Sequence, residues 1–115
     1  MILYFTADLM STSRVQGPAN AQGIPLKVIG SQKGILETID DETTALVVDL
    51  NPPARNAIST IEEAKKLRPE LPVVVHGPHL QVDLLQQAKE AGADVLTNGQ
   101  FHREVGSILQ QLAAK

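Results

Sequence analysis

Cysteine and tryptophan are both absent from this chain of 115 residues. Without cysteine there are no disulfides, no thiolate metal sites and no Cys nucleophile. Other aromatics are scarce, Tyr4, Phe5 and Phe101 being the full set. A core must therefore be assembled from Val, Ile, Leu and Ala, which suits helices layered on a sheet. Little is left for stacking on exposed bases. Positive charge is not in excess either: ten Lys and Arg stand against thirteen Asp and Glu, a formal net charge of −3. That balance lacks the basic footprint of a nucleic-acid surface and argues against such a partner. No apolar run approaches the ~20 residues that cross a bilayer. Met1-Ile2-Leu3-Tyr4-Phe5 has no basic residue before it and reads as a first strand rather than a signal peptide. The expected compartment is the cytoplasm.

Strand-like and helix-like segments alternate with short connections over a single expected domain, 1–115, the pattern of a parallel sheet covered on both faces. The β-branched and apolar runs predict strands at Ile2–Thr6, Leu26–Ile29, Ala45–Asp49, Val73–His76 and Val95–Thr97. Ala57, Ile58, Ile61, Ala64 and Leu67 recur at threes and fours, an amphipathic helix that ends before Pro69. Leu84, Leu85, Ala88 and Ala91 form a second stripe closed by Gly92, and Val105, Ile108, Leu109 and Leu112 a third. A weaker helix is expected from Gly34 to Asp40. The first helix covers Ser11 to Gln22 but contains Gly17-Pro18, and an interior proline costs ~3 kcal/mol or kinks the helix. A kink or two short helical pieces are therefore expected. The count of elements predicts a three-layer α/β/α sandwich, flavodoxin-like, with five parallel strands in the order 2-1-3-4-5. Its switch point lies between the first and third strands, so Asp8 and Asp49 are expected at one crevice.

Asp49 is the leading candidate. Leu46-Val47-Val48-Asp49 is a short apolar run ending on a carboxylate, followed by Leu50-Asn51-Pro52-Pro53. Such a run is a strand buried on both faces, and open α/β sheets place ligand crevices at the carboxyl ends of their strands. Asp49-Leu50-Asn51-Pro52-Pro53 is similar to the D-x-x-M-P motif of response-regulator receiver domains, with Asp49 at the phosphoacceptor position. Ala91-Gly92-Ala93-Asp94-Val95-Leu96 is similar to the receiver A-G-A-D-D-Y run, Leu71-Pro72-Val73-Val74-Val75 looks like the fourth strand, and Phe101 falls on the Phe of K-P-F. The chain thus resembles the receiver domain along nearly its whole length.

That resemblance implies a signalling switch built from two acids after the first strand, a hydroxyl after the fourth strand and a lysine after the fifth. Here Asp8 follows Ala7 and supplies one acid. Gapless counting from Gly92 puts the hydroxyl position on Gly77 and the lysine position on Gly99. Phosphoryl transfer relies on positioning and charge stabilisation, and loss of one preorganised partner commonly costs roughly 100–1,000-fold in rate. The resemblance therefore implies a pseudo-receiver, a standalone signalling domain acting through protein partners, with aspartyl phosphorylation degraded or absent. A divergent phosphorylatable receiver using Asp49 and Asp8 is the nearest alternative, and Mg²⁺ at Asp8 and Asp49 is a weak candidate.

Other residues carry rival readings. His76, His79 and Asp49 offer a base and an orienting acid for a small α/β enzyme or ligand-binding domain. His76, His79 and His102 offer imidazoles to a metal such as zinc, copper or nickel, although His-x-x-His in a Gly-Pro loop is more often a solvated or locally hydrogen-bonded pair. Arg14 is placed to reach back to Asp8 or Asp49 and stand in for the missing cation, against the plainer reading of a solvated helix arginine. Ser11, Thr12 and Ser13 are expected to cap the first helix. Asn98-Gly99 reads as a turn, with Asn98 at the crevice wall. No nucleotide signature accompanies it, and the Asp-x-His-x-x-Gly pattern associated with cobalamin binding is missing. The helices over 81–91 and 102–114, carrying Gln86, Gln87, Gln110 and Gln111, form the expected surface for a homodimer or a protein partner.

Overall fold

In the computed structural model, which describes residues 1–52 and 56–114, five parallel strands form one sheet. They are β1 (Ile2–Phe5), β2 (Leu26–Ile29), β3 (Ala45–Asp49), β4 (Val73–Gly77) and β5 (Asp94–Thr97), in the order β2-β1-β3-β4-β5. Helices α1 (Leu9–Ala21), α2 (Gln32–Thr38), α3 (Ala57–Leu67), α4 (Val82–Glu90), α5 (Asn98–Arg103) and α6 (Val105–Ala113) connect them. Pro53, the closing residue of the proposed motif, lies outside the described residues.

The pleat divides the core in two. Leu3, Phe5, Leu46, Val48 and Leu50 pack beneath α2, α3 and α4 with Ile35, Ile61, Ala64 and Ala88. Ile2, Tyr4, Ala45 and Val47 face the other way, against Val15 and Ala19 of α1, Phe101 of α5, and Val105, Leu109 and Leu112 of α6. Every residue of β3 is buried, as expected of a central strand with helices on both faces. The β3–β4 register sets Asp49 beside His76, and the β4–β5 register sets Gly77 beside Thr97. Odd and even positions of each strand thus settle which side chains reach the crevice.

Four helical expectations are corrected. The first helix runs unbroken from Leu9 to Ala21 with Pro18 inside it. Burial of Ser11, Val15 and Ala19 along one stripe outweighs the single backbone hydrogen bond that Pro18 removes. Its cap is Asp8, whose carboxylate accepts from the backbone of Met10 and Ser11, and not the hydroxyl cluster. The segment 102–114 is not one helix: it is split at Glu104 into α5 and α6. Asn98-Gly99 is not a turn but the opening of α5, which Thr97 and Gln100 close with a reciprocal capping box.

Candidate functional site

The crevice lies at the carboxyl ends of β1, β3, β4 and β5. Asp49 is 9% exposed, and both its oxygens are engaged by the chain itself. Oδ2 accepts from the Thr6 hydroxyl at 2.7 Å. Oδ1 accepts from the Asn51 backbone N–H at 2.8 Å and from Asn51 Nδ2 at 2.7 Å. The backbone bond is an Asx turn, which holds the chain in place as it leaves β3.

Asn51 is in turn clasped by Asn98, the first residue of α5. Asn51 Nδ2 donates to Asn98 Oδ1 at 3.0 Å, and Asn98 Nδ2 donates to Asn51 Oδ1 at 2.6 Å. Asn98 Oδ1 also lies 2.9 Å from His76 Nδ1. On the far side of the ring, His76 Nε2 lies 2.7 Å from the Tyr4 hydroxyl. The ring is fully buried, stacked on Phe101 at 4.3 Å between centroids and met edge-on by His102 at 5.2 Å. A continuous polar string therefore runs from Asp49 to the middle of the sheet.

Burial, opposed by the Asn98 hydrogen bond and the Asp49 charge, keeps His76 below the ordinary histidine pKa. The same burial, helped by the Asp49 charge, pushes the Tyr4 hydroxyl far above its usual value. His102 is also held low, by burial and then by its neighbours His76 and Arg14. His76 and Tyr4 are therefore uncharged at neutral pH, and the buried polar groups of the string are hydrogen-bonded, as they must be.

The remaining candidates fall into place around it. Asp8 is exposed at the rim, with its carboxyl held below the usual carboxylate range chiefly by the Ser11 hydroxyl. Its two oxygens serve the Ser11 hydroxyl and the start of α1. Arg14 is exposed and forms no ion pair among the described residues, although its charge is felt by Asp8 and His102. His79 is exposed in the turn after β4, while His76 is sealed in the core with both ring nitrogens engaged, so they do not form the catalytic pair of the enzyme reading. Counting placed the two missing switch groups at Gly77 and Gly99. A Cβ on Gly77 would point at Leu50 and Leu85 in the opposite core layer, and one on Gly99 would enter open space. The neighbours of these glycines that join the hydrogen-bonded string from Asp49 are His76 of β4 and Asn98 at the start of α5.

A divalent cation at Asp49 does not suit this donor set. Mg²⁺ wants a near-octahedral shell of oxygens, yet Asp49 Oδ1 faces two N–H groups, Asp8 is committed to α1, and residue 7 is an alanine. Among the described residues no group of three or more His, Asp or Glu side chains is placed to hold a metal. No helix among them is long and apolar enough to cross a membrane.

Tyr4, Thr6 and the stacking role of Phe101 were not legible as site features in the sequence. The available signal for the first two was a lone tyrosine and a threonine on one face of an otherwise apolar strand run.

Comparison with known proteins places the fold. No family model matches the chain. The receiver domain of NtrX from Brucella abortus superposes with a TM-score of 0.84 at 20% identity, covering 100% of this chain and 99% of that one. A response regulator receiver protein from Pseudoalteromonas atlantica superposes at 0.81 with 16% identity and full coverage of both chains. A CheY-like protein, TadZ, from Pseudomonas aeruginosa PAO1 does so at 0.75 with 24% identity, over 96% of this chain and 97% of that one. The fold is thus that of receiver domains, with the expected strand order. In sequence, 72 residues are 29% identical to the transcriptional activator protein ExaE of Pseudomonas putida, which is 62% of this chain and 34% of that protein. The match spans about a third of that curated relative's length.

Proposed function

We propose that this chain is a receiver-like signalling module of the pseudo-receiver kind, working through contact with a protein partner and without robust aspartyl phosphorylation. One observation carries the reading: the chain's own N–H and O–H groups already satisfy both oxygens of Asp49. A carboxylate whose negative charge is already stabilised by three donated hydrogen bonds, in a site only 9% exposed, is a weakened nucleophile. The side chain that clasps Asn51 from the start of α5 is the neutral amide of Asn98, not a cation able to clamp phosphoryl oxygens. Exposed Leu9, Met10, Leu80 and Val82 on loops and helix starts at this end of the sheet supply apolar contact area to a partner.

Incubation with acetyl phosphate and Mg²⁺, followed by intact-mass and Phos-tag analysis, tests the reading. The expected result is an unmodified chain under conditions that modify an intact receiver. A phosphoryl adduct mapped to Asp49 would instead establish the divergent phosphorylatable receiver. The helices α4 and α6, flanking edge strand β5, form the proposed surface for a homodimer. Light scattering that stays monomeric at high concentration removes that part of the proposal alone. The module is placed in the cytoplasm by the same reading.

A further inference from the structure

The polar string from Asp49 to Tyr4 has a direction, fixed at its outer end. The Asn51 backbone N–H can only donate, so the atom it meets on residue 49 must be an acceptor, and that oxygen also takes Asn51 Nδ2. With Nδ2 turned outward, Asn51 offers its oxygen to Asn98 Nδ2. Asn98 then presents its own oxygen to His76, so the hydrogen of the neutral ring sits on Nδ1. Nε2 is left bare and receives the Tyr4 hydroxyl. Each amide orientation follows from the one before it.

We propose that the oxygen at position 49 sets the tautomer of His76 and the direction of the Tyr4 hydroxyl, acting through the Asn51–Asn98 amide pair. The string is a conformational device that reports, at the centre of the sheet, on what engages Asp49 Oδ1. This inference goes beyond the proposed function, since it holds whether or not Asp49 accepts a phosphoryl group. A reciprocal amide pair reverses only when both amides turn over together. Reversal sets Asn98 Nδ2 against His76 Nδ1, which moves the ring hydrogen to Nε2 and makes Tyr4 the acceptor. The Tyr4 hydrogen then goes to the facing hydroxyls of Ser11 or Thr6. Any group that takes Oδ1 from Asn51 and draws the Asn51 oxygen towards itself drives this reversal. Its effects reach α5 directly, because Asn98 opens that helix and Phe101 stacks on the ring.

Long-range ¹H–¹⁵N correlation of histidine-labelled protein, at a pH where the rings are uncharged, reads the tautomer. The wild-type chain is expected to show His76 with its hydrogen on Nδ1. Asp49→Asn is expected to keep that tautomer although the charge is gone, since the Asn51 N–H still demands an oxygen. Asn98→Ala removes the one acceptor that the described residues offer to Nδ1 and is expected to shift the ring to the Nε2–H form. Asp49→Ala frees the amide pair and is expected to give a mixture; should it not fold, Asn51→Ala breaks the same link at a half-buried position. An Nε2–H wild type, a tautomer unmoved by Asn98→Ala, or a flip in Asp49→Asn would each overturn the proposal, the last by showing that charge rather than the oxygen sets the order.

Discussion

A side chain at Gly77 would be tightly placed: a Cβ there would lie 3.0 Å from Leu50 Cβ and 3.2 Å from Leu85 Cδ2. Gly77→Thr is therefore expected to cost about 1–3 kcal/mol by overpacking, and to leave Asp49 as unreactive towards acetyl phosphate as before. Gly99→Lys meets open space and is expected to change stability by less than about 0.5 kcal/mol. Urea melts of the two variants check the contrast. His76 carries the pH dependence. Burial keeps its pKa low in the folded chain, so the unfolded chain binds the proton first as pH falls. Its contribution to stability is complete above the unfolded pKa near ~6.5 and is lost as pH drops below that value. Urea midpoints of the wild-type protein should decline towards acid pH, and those of His76→Gln should decline less. His102, also held low by burial, contributes to the part that remains, and the depressed Asp8 carboxyl adds a further loss at more acid pH.

At the scale of the element, α5 is six residues long and relies on its ends. The Thr97 hydroxyl accepts from Gln100 N at 3.3 Å, and Gln100 Oε1 accepts from Thr97 N at 3.0 Å. Thr97→Ala is expected to cost about 0.5–2 kcal/mol and to speed amide exchange across Asn98–Phe101, measured by hydrogen–deuterium exchange. Helices with regular apolar spacing, α3 above all, were legible from sequence because one stripe faces one core layer. The division between α5 and α6 was not. Glu104 carries no glycine or proline signal, and Phe101 and Val105, four residues apart, would share one face of an unbroken helix, so the apolar spacing gave no sign of the break. Pro18 misled in the opposite direction, since a local penalty was judged without the packing of Val15 and Ala19 that offsets it.

Across the whole molecule, the sheet order was legible because buried parallel strands announce themselves as short apolar runs between helical periods. The site was legible only residue by residue. Asp49, Asn51, His76 and Asn98 stood out singly, but their union depends on strand register, which brings together residues 47 apart in Asn51–Asn98 and 72 apart in Tyr4–His76. Counting along the chain chose Gly77 and Gly99, while their neighbours His76 and Asn98 are the residues that carry the hydrogen-bonded string. The strand order has a further consequence at the margins of the sheet. β2 and β5 are the outermost strands, each four residues long, and carry exposed Lys27 and exposed Asp94 respectively. Short, charged margins resist recruitment of stray extended chains. With Lys27→Val and Asp94→Val together, thioflavin fluorescence is expected to rise during prolonged agitation while the parent protein stays clear, so these two charges guard the sheet against fibril growth.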